Sequence, residues 1–530
     1  MKKRAVVFTE NTEGLETFAK TLINENWEII SAGKTGTFLK ENGIPFSLDH
    51  SLDSAVKASD NYSHLMYLIM AARNSSSEFE VPITLVVANV IPKIKKVSAF
   101  IDYNANSNPI DIKTISLIRT ACAFYKDVLV LVDPTDYAEA TVQLKTDHIT
   151  NDFRLMLVGK AMNLTSVYDA ACSISILGKN NLEDFPTHIM MPLKKRNALR
   201  HGANNHQNAA LYSLTLSESS LNGIKKIQGP EFSYAVLINC NTAWKGVCTF
   251  LKVLKNPFAV QTTDAENHHF TTNFTPATCF VFTIAIKNRN PIGAALGPDV
   301  HSSIQKTYNC DPESFDNCAL GSSAVIDKAA AELLVTTGVK AVIAPDFTPE
   351  AREILASRND IRIVQASQAT SDFMDVATVD GGMIFQSTDT VPFRNWRVVT
   401  NTRPNQQQVD ALAFGTLIAM LTKSDAAVII NDNQAIGVST GQTNKKKAIL
   451  LALEEASNCI KNNLTSSDQS AEILVSDTYI NFDDALRCIA DHGIKAIIQS
   501  GGSNSDGLLI DYCNEKGISM IFTGHQHFSL

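Results

Sequence analysis

Short apolar runs rich in β-branched residues alternate with amphipathic segments in the first third of the chain. The apolar runs have the length of buried strands and lie at residues 4–9, 27–30, 83–89 and 128–133. Residues 15–22, and the segment that follows residues 108–111, have the apolar spacing of helices. A succession of strand, helix and strand predicts a parallel α/β sheet.

The same alternation returns twice in the second half of the chain. A long amphipathic segment at residues 409–421 predicts a helix. The runs predicted to be strands lie at residues 235–238, 280–286, 341–343, 361–364, 426–430, 473–476, 496–499 and 520–523. Pro186, Pro192 and the basic residues 194–196 mark the predicted domain boundary, and a solvated linker is the simplest interpretation of the basic run.

Composition narrows the class of protein. A chain of 530 residues exceeds the size of one core, and 45% hydrophobic with 19% charged residues is typical of a soluble globular protein. No apolar run reaches the length of a membrane span, and the net charge of −8 gives no support to nucleic-acid binding. The 10 cysteines include no C-x-x-C pair, which argues against a zinc site. We expect a cytoplasmic protein with reduced thiols and without membrane or nucleic-acid partners.

Residues 282–297 combine a buried strand with polar chemistry at its end. The apolar run ends in Lys287, Asn288, Arg289 and Asn290, and Pro291 and two glycines follow. Taken alone, this stretch is interpreted as a strand-end turn with two solvated cations. It gains meaning from the motifs around it.

Motifs along the whole chain resemble, in the same order, those of the bifunctional purine biosynthesis proteins. These proteins join aminoimidazolecarboxamide ribotide (AICAR) transformylase to inosine monophosphate (IMP) cyclohydrolase. Residues 282–297 resemble the family's Lys-His-x-x-Pro-x-Gly segment, with the lysine present and the histidine replaced. The other similar stretches are WEIISAGKT at 27–35, LVVANVIP at 85–92, the segments 110–119 and 132–137, LRHGANNHQ at 199–207, IGVSTGQ at 436–442, and residues 497–503 and 521–528.

The resemblance implies the fold. The family has an N-terminal α/β domain similar to methylglyoxal synthase, followed by two zinc-free subdomains similar to cytidine deaminase. Applied to this chain, it predicts a cyclohydrolase-like domain at 1–193 and transformylase-like subdomains at 194–365 and 366–530. It also implies a homodimer.

The resemblance implies a formyl transfer from the cosubstrate 10-formyltetrahydrofolate to AICAR, with no metal required. Such a reaction needs a base for the amine proton and a cation for the developing oxyanion. Lys287 is the implied cation, and Asn288 occupies the place of the family's catalytic histidine. An amide cannot take up a proton near neutral pH, so His206 is the candidate base. A satisfied structural histidine is an equally good interpretation of His206.

Further residues of this implied site bind the substrate. Arg200 matches the arginine that pairs with the AICAR phosphate, whereas His201 replaces a tyrosine and Gln526 replaces a phosphate-binding arginine. The other implied contacts are Asp311, Asp425 in place of an asparagine, Gln442, and Lys445 in place of an arginine.

The implied cyclohydrolase-like site is more altered. It would comprise Gly33, Lys34 and Thr35 in the phosphate turn, with Lys57, Asp111 and Arg119. For Asp111 and Arg119, a helix-start cap and a solvated helix face are the favoured interpretation.

Two functions from different classes therefore follow from the sequence. One is an enzyme of purine biosynthesis that acts on AICAR and folate through Lys287, Arg200 and His206. The alternative is a diverged paralogue that has lost one or both activities and binds a nucleotide, a folate or a partner protein. Of the two activities, ring closure is the one more expected to be lost. The choice depends on four replacements, which all point away from full activity: Asn288, Gln526, Ile91 and Ala123.

Overall fold

A computed structural model describes residues 3–48, 60–73, 81–90, 111–180, 185–214, 224–255, 259–263, 269–273, 280–367, 374–390, 396–465, 472–482 and 489–530. The chain forms two compact units. The N-terminal unit comprises Met1–Lys195 and Tyr212–Ser217, and the C-terminal unit comprises Arg196–Leu211 and Glu218–Leu530. The three-part division predicted from the sequence, with boundaries after residues 193 and 365, stays a prediction.

The N-terminal unit is built on a five-stranded parallel sheet in the order β3-β2-β1-β4-β5. Its strands are β1 (Lys3–Thr9), β2 (Trp27–Ser31), β3 (Ser47–Leu48), β4 (Ile83–Asn89) and β5 (Leu129–Leu131). Its helices are α1 (Leu15–Asn24), α2 (Gly33–Glu41), α3 (Asp60–Ala71), α4 (Ile112–Ala123), α5 (Tyr137–Lys145) and α6 (Asn151–Asn180).

Both faces of this sheet are covered, which explains why its strands read as continuous apolar runs. On one face, Phe18 of α1 stacks on Tyr137 of α5 with ring centroids 4.7 Å apart. On the other face, Leu65 of α3 and Ile118 of α4 pack against β4 and β5. The division between the units falls in a two-stranded ribbon of β6 (Leu193–Ala198) and β7 (Ala210–Leu214).

The C-terminal unit contains a 14-stranded mixed sheet. Its strands are β8 (Lys225–Gln228), β9 (Ala259–Thr263), β10 (His269–Asn273), β11 (Val281–Lys287), β12 (Asn290–Gly297), β13 (Ala319–Ser322), β14 (Ala341–Ala344), β15 (Arg362–Gln365), β18 (Arg397–Val398), β19 (Ala427–Asn431), β20 (Gln434–Ser439), β21 (Ile473–Ser476), β22 (Ala496–Gln499) and β23 (Ser519–Phe522). A separate exposed ribbon pairs β16 (Asp375–Val379) with β17 (Gly382–Gln386).

The helices of this unit cover the sheet. They are α7 (Tyr234–Lys255), α8 (Val300–Cys310), α9 (Lys328–Thr336), α10 (Pro349–Ala356), α11 (Gln406–Ala419), α12 (Lys445–Lys461) and α13 (Asp506–Lys516). The buried faces of α7 and α11 meet in one core, where Trp244 and Phe414 are almost fully buried.

The large sheet is a repeat of one arrangement. In one half, helix α7 precedes the hairpin β11–β12, and strands β13, β14 and β15 lie beside β11, parallel to one another and antiparallel to β11. In the other half, α11 precedes the hairpin β19–β20, and β21, β22 and β23 lie beside β19, parallel to one another and antiparallel to β19. The halves meet where β12 pairs with β20 at Ala295 and Gln434. The sheet order is therefore mirrored about this junction.

Strand direction brings particular strand ends to a common edge. Lys287 ends β11 beside the starts of β13, β14 and β15. Because β12 and β20 are antiparallel, the start of β12 lies at the edge where β20 ends, and β21, β22 and β23 end there too. We call this the Lys287 edge. It is the edge at which parallel strands of the second half present their carboxyl ends, the usual ligand side of α/β sheets.

Two local predictions were wrong. Residues 235–238, predicted as a strand, lie inside the helix α7, because an apolar run of four residues has the same appearance in either element. Residues 33–36, predicted as part of a turn, are the first turn of α2. Among the described residues, no helix is long and apolar enough to cross a membrane.

Candidate active site

The Lys287 segment is the tip of a tight β-hairpin. Asn288 and Arg289 form its two-residue loop, with φ of 53° and 69°, between the paired residues Lys287 and Asn290. Positive φ at both loop positions is the type I′ geometry, in which asparagine is favoured because its short polar side chain tolerates the left-handed region. Asn288 is exposed at this tip, and its carbonyl oxygen accepts a hydrogen bond from Asn290 Nδ2 at 3.3 Å.

Lys287 points toward the turn that follows α8. Its Nζ atom donates to the carbonyl oxygen of Ser314 at 3.1 Å, and the Ser314 N–H donates to Asp311 Oδ1 at 2.9 Å. The side chain is only half-buried. An ammonium group has three hydrogens, and this is its one hydrogen bond to the described part of the chain, which leaves two for a ligand. The structure thus brings the predicted residues Lys287 and Asp311 together.

The hairpin also contacts the segment before β19. Asn290 Oδ1 accepts a hydrogen bond from the backbone N–H of Lys423 at 3.1 Å. Burial lowers the pKa of Lys423, and the nearby charge of Arg289 lowers it further. Two residues along, Asp425 and Gln442 exchange backbone hydrogen bonds of 3.1 Å in both directions. Lys287, Asp425 and Gln442 therefore share the Lys287 edge.

Lys445 is buried at the start of α12 and is held by Asp477. Its Nζ atom forms an ion pair with Asp477 Oδ1, donates to the carbonyl oxygen of Ala426 at 3.0 Å, and lies 3.6 Å from Asp425 Oδ1. Asp477 is 1% exposed and also accepts a hydrogen bond from Ser424 Oγ at 2.5 Å. Lys445 thus contacts Asp425 and holds the start of β19 in place.

The C-terminal segment is fastened to the same network. His527 donates its backbone N–H to the carbonyl oxygen of Asp477 at 2.8 Å, and its Nδ1 lies 2.6 Å from Asp389 Oδ2. Ser529 and Ser424 are joined by two hydrogen bonds. Gln526, the residue before His527, is exposed at this edge.

Arg200, His201 and His206 lie in a loop of the C-terminal unit. The Arg200 N–H donates to the carbonyl oxygen of Phe232 at 2.8 Å, and His201 Nδ1 lies 2.8 Å from the carbonyl oxygen of Gly202. Arg200 and His206 are both exposed. Contacts with residues 231–234 connect this loop to the start of β15, and thereby to the Lys287 edge.

The predicted phosphate turn of the N-terminal unit opens helix α2. Gly33 has φ of 57°, and Lys34 is exposed beside it. Thr35 is buried, donates its Oγ1–H to the carbonyl oxygen of Thr9 at 2.9 Å, and accepts the Thr9 N–H at 3.0 Å. This geometry leaves the N-terminus of α2 with no side-chain cap and Lys34 beside it. Such an end favours an anion.

Asp111 and Arg119 both have partners near α4. Asp111 caps α4: its Oδ1 accepts the Thr114 N–H at 2.9 Å, and its own N–H donates to Tyr168 at 2.7 Å. Arg119 forms an exposed ion pair with Asp169 at 2.5 Å. Lys57 lies outside the described residues.

Asp477 and Glu455 were missed by sequence reasoning. Asp477 follows the apolar strand β21, and an acidic residue after a buried parallel strand is a signal that could have identified it. Glu455 lies on α12, where burial raises its pKa to about 7 and the neighbouring charge of Asp311 acts in the same direction. One charge in a helical pattern carries no such signal.

Comparisons with known proteins bear on the family of this chain. The profile of the AICARFT/IMPCHase bienzyme family matches residues 121–455. A bifunctional purine biosynthesis protein PurH from Clostridium botulinum (strain Kyoto / Type A2) is 34% identical over 543 aligned residues, which cover 100% of both chains. The chain belongs to the AICARFT/IMPCHase bienzyme family. A relative of the same description from Clostridium kluyveri (strain ATCC 8527) is 32% identical, again over 100% of both chains.

The family membership confirms the resemblance drawn from the motifs. A solved structure described as the crystal structure of ForH covers 34% of this chain and 98% of its own, at 20% identity and a TM-score of 0.30. Within the described part of the chain, no three His, Cys, Asp or Glu side chains are grouped in a way that could hold a metal ion. The roles of the individual site residues stay predictions.

Proposed function

We propose that this protein acts in purine biosynthesis. Its C-terminal unit transfers the formyl group of 10-formyltetrahydrofolate to AICAR, and its N-terminal unit closes the formylated product to IMP. Family membership over the full length supports the pathway. One observation supports the first reaction most: Lys287, Asp311, Asp425 and Gln442 lie at one edge of the large sheet.

Formyl transfer requires the AICAR amine to attack the formyl carbon. The C–N bond to N10 of the folate then breaks, the amine loses a proton, and N10 gains one. The Lys287 ammonium group, with two hydrogens available, stabilises the oxyanion that develops on the formyl oxygen. No metal enters this step, because the ammonium group supplies the positive charge.

The base is the altered part of the site. Asn288 can donate a hydrogen bond to a reacting oxygen, and it cannot accept the amine proton. His206 is exposed in a loop of the same unit and takes the base role in this proposal. A site without a base placed as closely as the family's histidine is expected to react more slowly.

The charges of the site residues suggest how each of them binds AICAR in this proposal. Arg200 binds the phosphate of AICAR, with His201 beside it, and Gln526 contributes a neutral hydrogen-bonding group. Asp425 and Gln442 contact the polar groups of the aminoimidazolecarboxamide part of AICAR. Lys445 holds Asp425 at 3.6 Å, and its bonds to Asp477 and Ala426 make it a positioning residue.

Ring closure is assigned to the N-terminal unit on weaker grounds. The N-terminus of α2, with Gly33, Lys34 and Thr35, offers backbone N–H groups and one cation to a nucleotide phosphate. Asp111 and Arg119 support the fold around α4. The competing possibility is a diverged paralogue that has lost ring closure, and the experiment must distinguish the two.

We further propose a cytoplasmic homodimer with the three-part, zinc-free architecture of the family. The exposed ribbon β16–β17 is a surface suited to a second copy of the chain. Met383 and Ile384 on it are 52% and 58% exposed. Burying apolar side chains of this size is favourable for association.

The experiment supplies purified protein with AICAR and 10-formyltetrahydrofolate and follows formyl-AICAR, tetrahydrofolate and IMP by mass spectrometry. Formyl-AICAR is supplied alone in a second reaction, so that ring closure is tested separately. Formation of tetrahydrofolate in an amount equal to formyl-AICAR and IMP together supports the transfer. Binding of AICAR without any product would establish the diverged paralogue instead.

A further inference from the structure

Arg362 is a buried arginine that opens β15. Its side chain is 6% exposed, and its Nη2 and Nε atoms donate to the carbonyl oxygen of Glu231 at 2.8 and 3.3 Å. Burial lowers the pKa of Arg362, and the nearby charge of Arg200 acts in the same direction. A guanidinium group buried against a neutral carbonyl has a large desolvation cost, and an anionic ligand near it would offset that cost.

The carboxylates close to Arg362 are bonded to other cations. Glu231 forms an ion pair with Lys226. Asp360 is bonded to Lys340 at 2.8 Å and to Arg358 at 2.7 Å. Because these carboxylates are paired with other cations, the positive charges of Arg362 and Arg200 act together on an anion that approaches them.

Arg362 is also connected to Arg200 through the backbone. It holds Glu231, while the next residue, Phe232, accepts the backbone N–H of Arg200 at 2.8 Å. The stretch before Glu231 lies tightly against β15, since a Cβ atom on Gly229 would be 2.4 Å from the carbonyl oxygen of Ile361. Movement of the Arg362 side chain would thus release the segment on which Arg200 rests.

We infer that Arg362 is a positioning residue for the phosphate of the nucleotide substrate. It fixes the loop that carries Arg200 and adds a second positive charge to the field that a phosphate dianion meets. The inference rests on the proposed function for the identity of the nucleotide. It matters here because Gln526 supplies no charge at the place of the family's second arginine.

The test measures binding by isothermal titration, with AICAR and with its riboside, which lacks the phosphate. The variants are Arg362→Met, Arg362→Lys and, as a matched control, Arg352→Met, which removes an exposed ion pair with Asp346 in the same half. We expect Arg362→Met to weaken AICAR binding by about tenfold, the loss of one charged hydrogen-bonding group. Binding of the riboside and of the folate stays unchanged, Arg362→Lys recovers part of the AICAR affinity, and Arg352→Met has no effect.

The result that overturns the inference is an equal loss for AICAR and its riboside in both Arg362 variants, or no loss for either ligand. Equal binding of AICAR and riboside by the unaltered protein overturns it too. Thermal melts of each variant show whether a loss reflects unfolding. A protein that discriminates by phosphate through Arg362 and yet forms neither formyl-AICAR nor IMP would refute the proposed reaction and leave this inference standing.

Discussion

At the scale of single residues, the side chain at position 288, at the tip of the β11–β12 hairpin, determines whether this part of the proposed site can accept a proton. The Asn288 backbone has φ of 53°, a conformation that asparagine and histidine both adopt more readily than most residues. Histidine at this position is therefore compatible with the observed turn. In the proposed function, the replacement implied by the resemblance changes the proton chemistry and is compatible with an unchanged backbone.

The variant Asn288→His is expected to accelerate formyl transfer, because an imidazole beside Lys287 can accept the amine proton. A positioned base contributes on the order of 10²-fold or more. Pre-steady-state rates and their pH dependence measure the effect. An unchanged rate would show that the base lies elsewhere or that proton transfer does not limit the step.

Glu455 predicts a dependence of stability on pH. Burial raises its pKa to about 7, above the ordinary value of 4.5, so the protonated form is favoured in the folded protein. The favourable contribution of the protonated Glu455 side chain to the free energy of unfolding is fully present below about pH 4.5, and it is lost as the pH rises to about 7. The free energy of unfolding of Glu455→Gln, relative to the unaltered protein, should therefore be higher at pH 8 than at pH 5. The expected difference is on the order of 1–3 kcal/mol.

Thermal melts of Glu455→Gln at the two pH values make this measurement. Glu454→Gln is the matched control, because Glu454 is the exposed neighbour on the same helix. Equal shifts for the two variants at both pH values would contradict the burial of the Glu455 charge.

At the scale of elements, close backbone approach fixes helix α12 on β20. A Cβ atom on Gly437 would lie 2.1 Å from the carbonyl oxygen of Ala452. This contact holds the helix whose first residue is Lys445, and with it the Lys445–Asp477 pair.

Gly437→Ala should lower the melting temperature by several degrees and reduce formyl transfer, since the helix must shift away from the strand. Gly507→Ala is the control, because a Cβ atom there meets nothing within 4 Å and the residue lies in helix α13. A Gly437 variant as stable as the Gly507 variant would contradict this packing.

The sequence predicted elements unevenly, for a physical reason. The buried runs at Ile83–Asn89 and Ile473–Ser476 are strands, because length and β-branched content both point to that structure. Residues 235–238 are helical, because the pattern over the whole of Tyr234–Lys255 outweighs four apolar residues. The return strand Asn290–Gly297 was not predicted, since its proline and glycines resemble a loop.

Parts of the candidate site were predictable in the same uneven way. Lys287, Asp425 and Gln442 were found through motifs, and the structure brings them to one edge. Asp477 carried a signal in its place after a buried strand, whereas Arg362 acts through neighbours that are distant in sequence and is revealed by the folded sheet.

At the scale of the whole molecule, the two reactions are assigned to separate units. The mirrored halves of the large sheet place the hairpin of one half beside the strand ends of the other, which builds the Lys287 edge from both. The predicted phosphate turn lies at the start of α2 in the unit with the small parallel sheet. A change at the Lys287 edge should therefore leave ring closure of supplied formyl-AICAR unaltered.

The measurement that tests the central claim most directly is a single-turnover reaction of excess enzyme with AICAR and 10-formyltetrahydrofolate. It compares the unaltered protein with Lys287→Ala and with Lys306→Ala, a half-buried lysine bonded to Asp432 at the opposite edge of the sheet. We predict product from the unaltered protein and from Lys306→Ala, and a rate lowered on the order of 10²-fold or more in Lys287→Ala. Equal rates in all three proteins, or no product from any of them, would contradict a formyl transfer centred on Lys287.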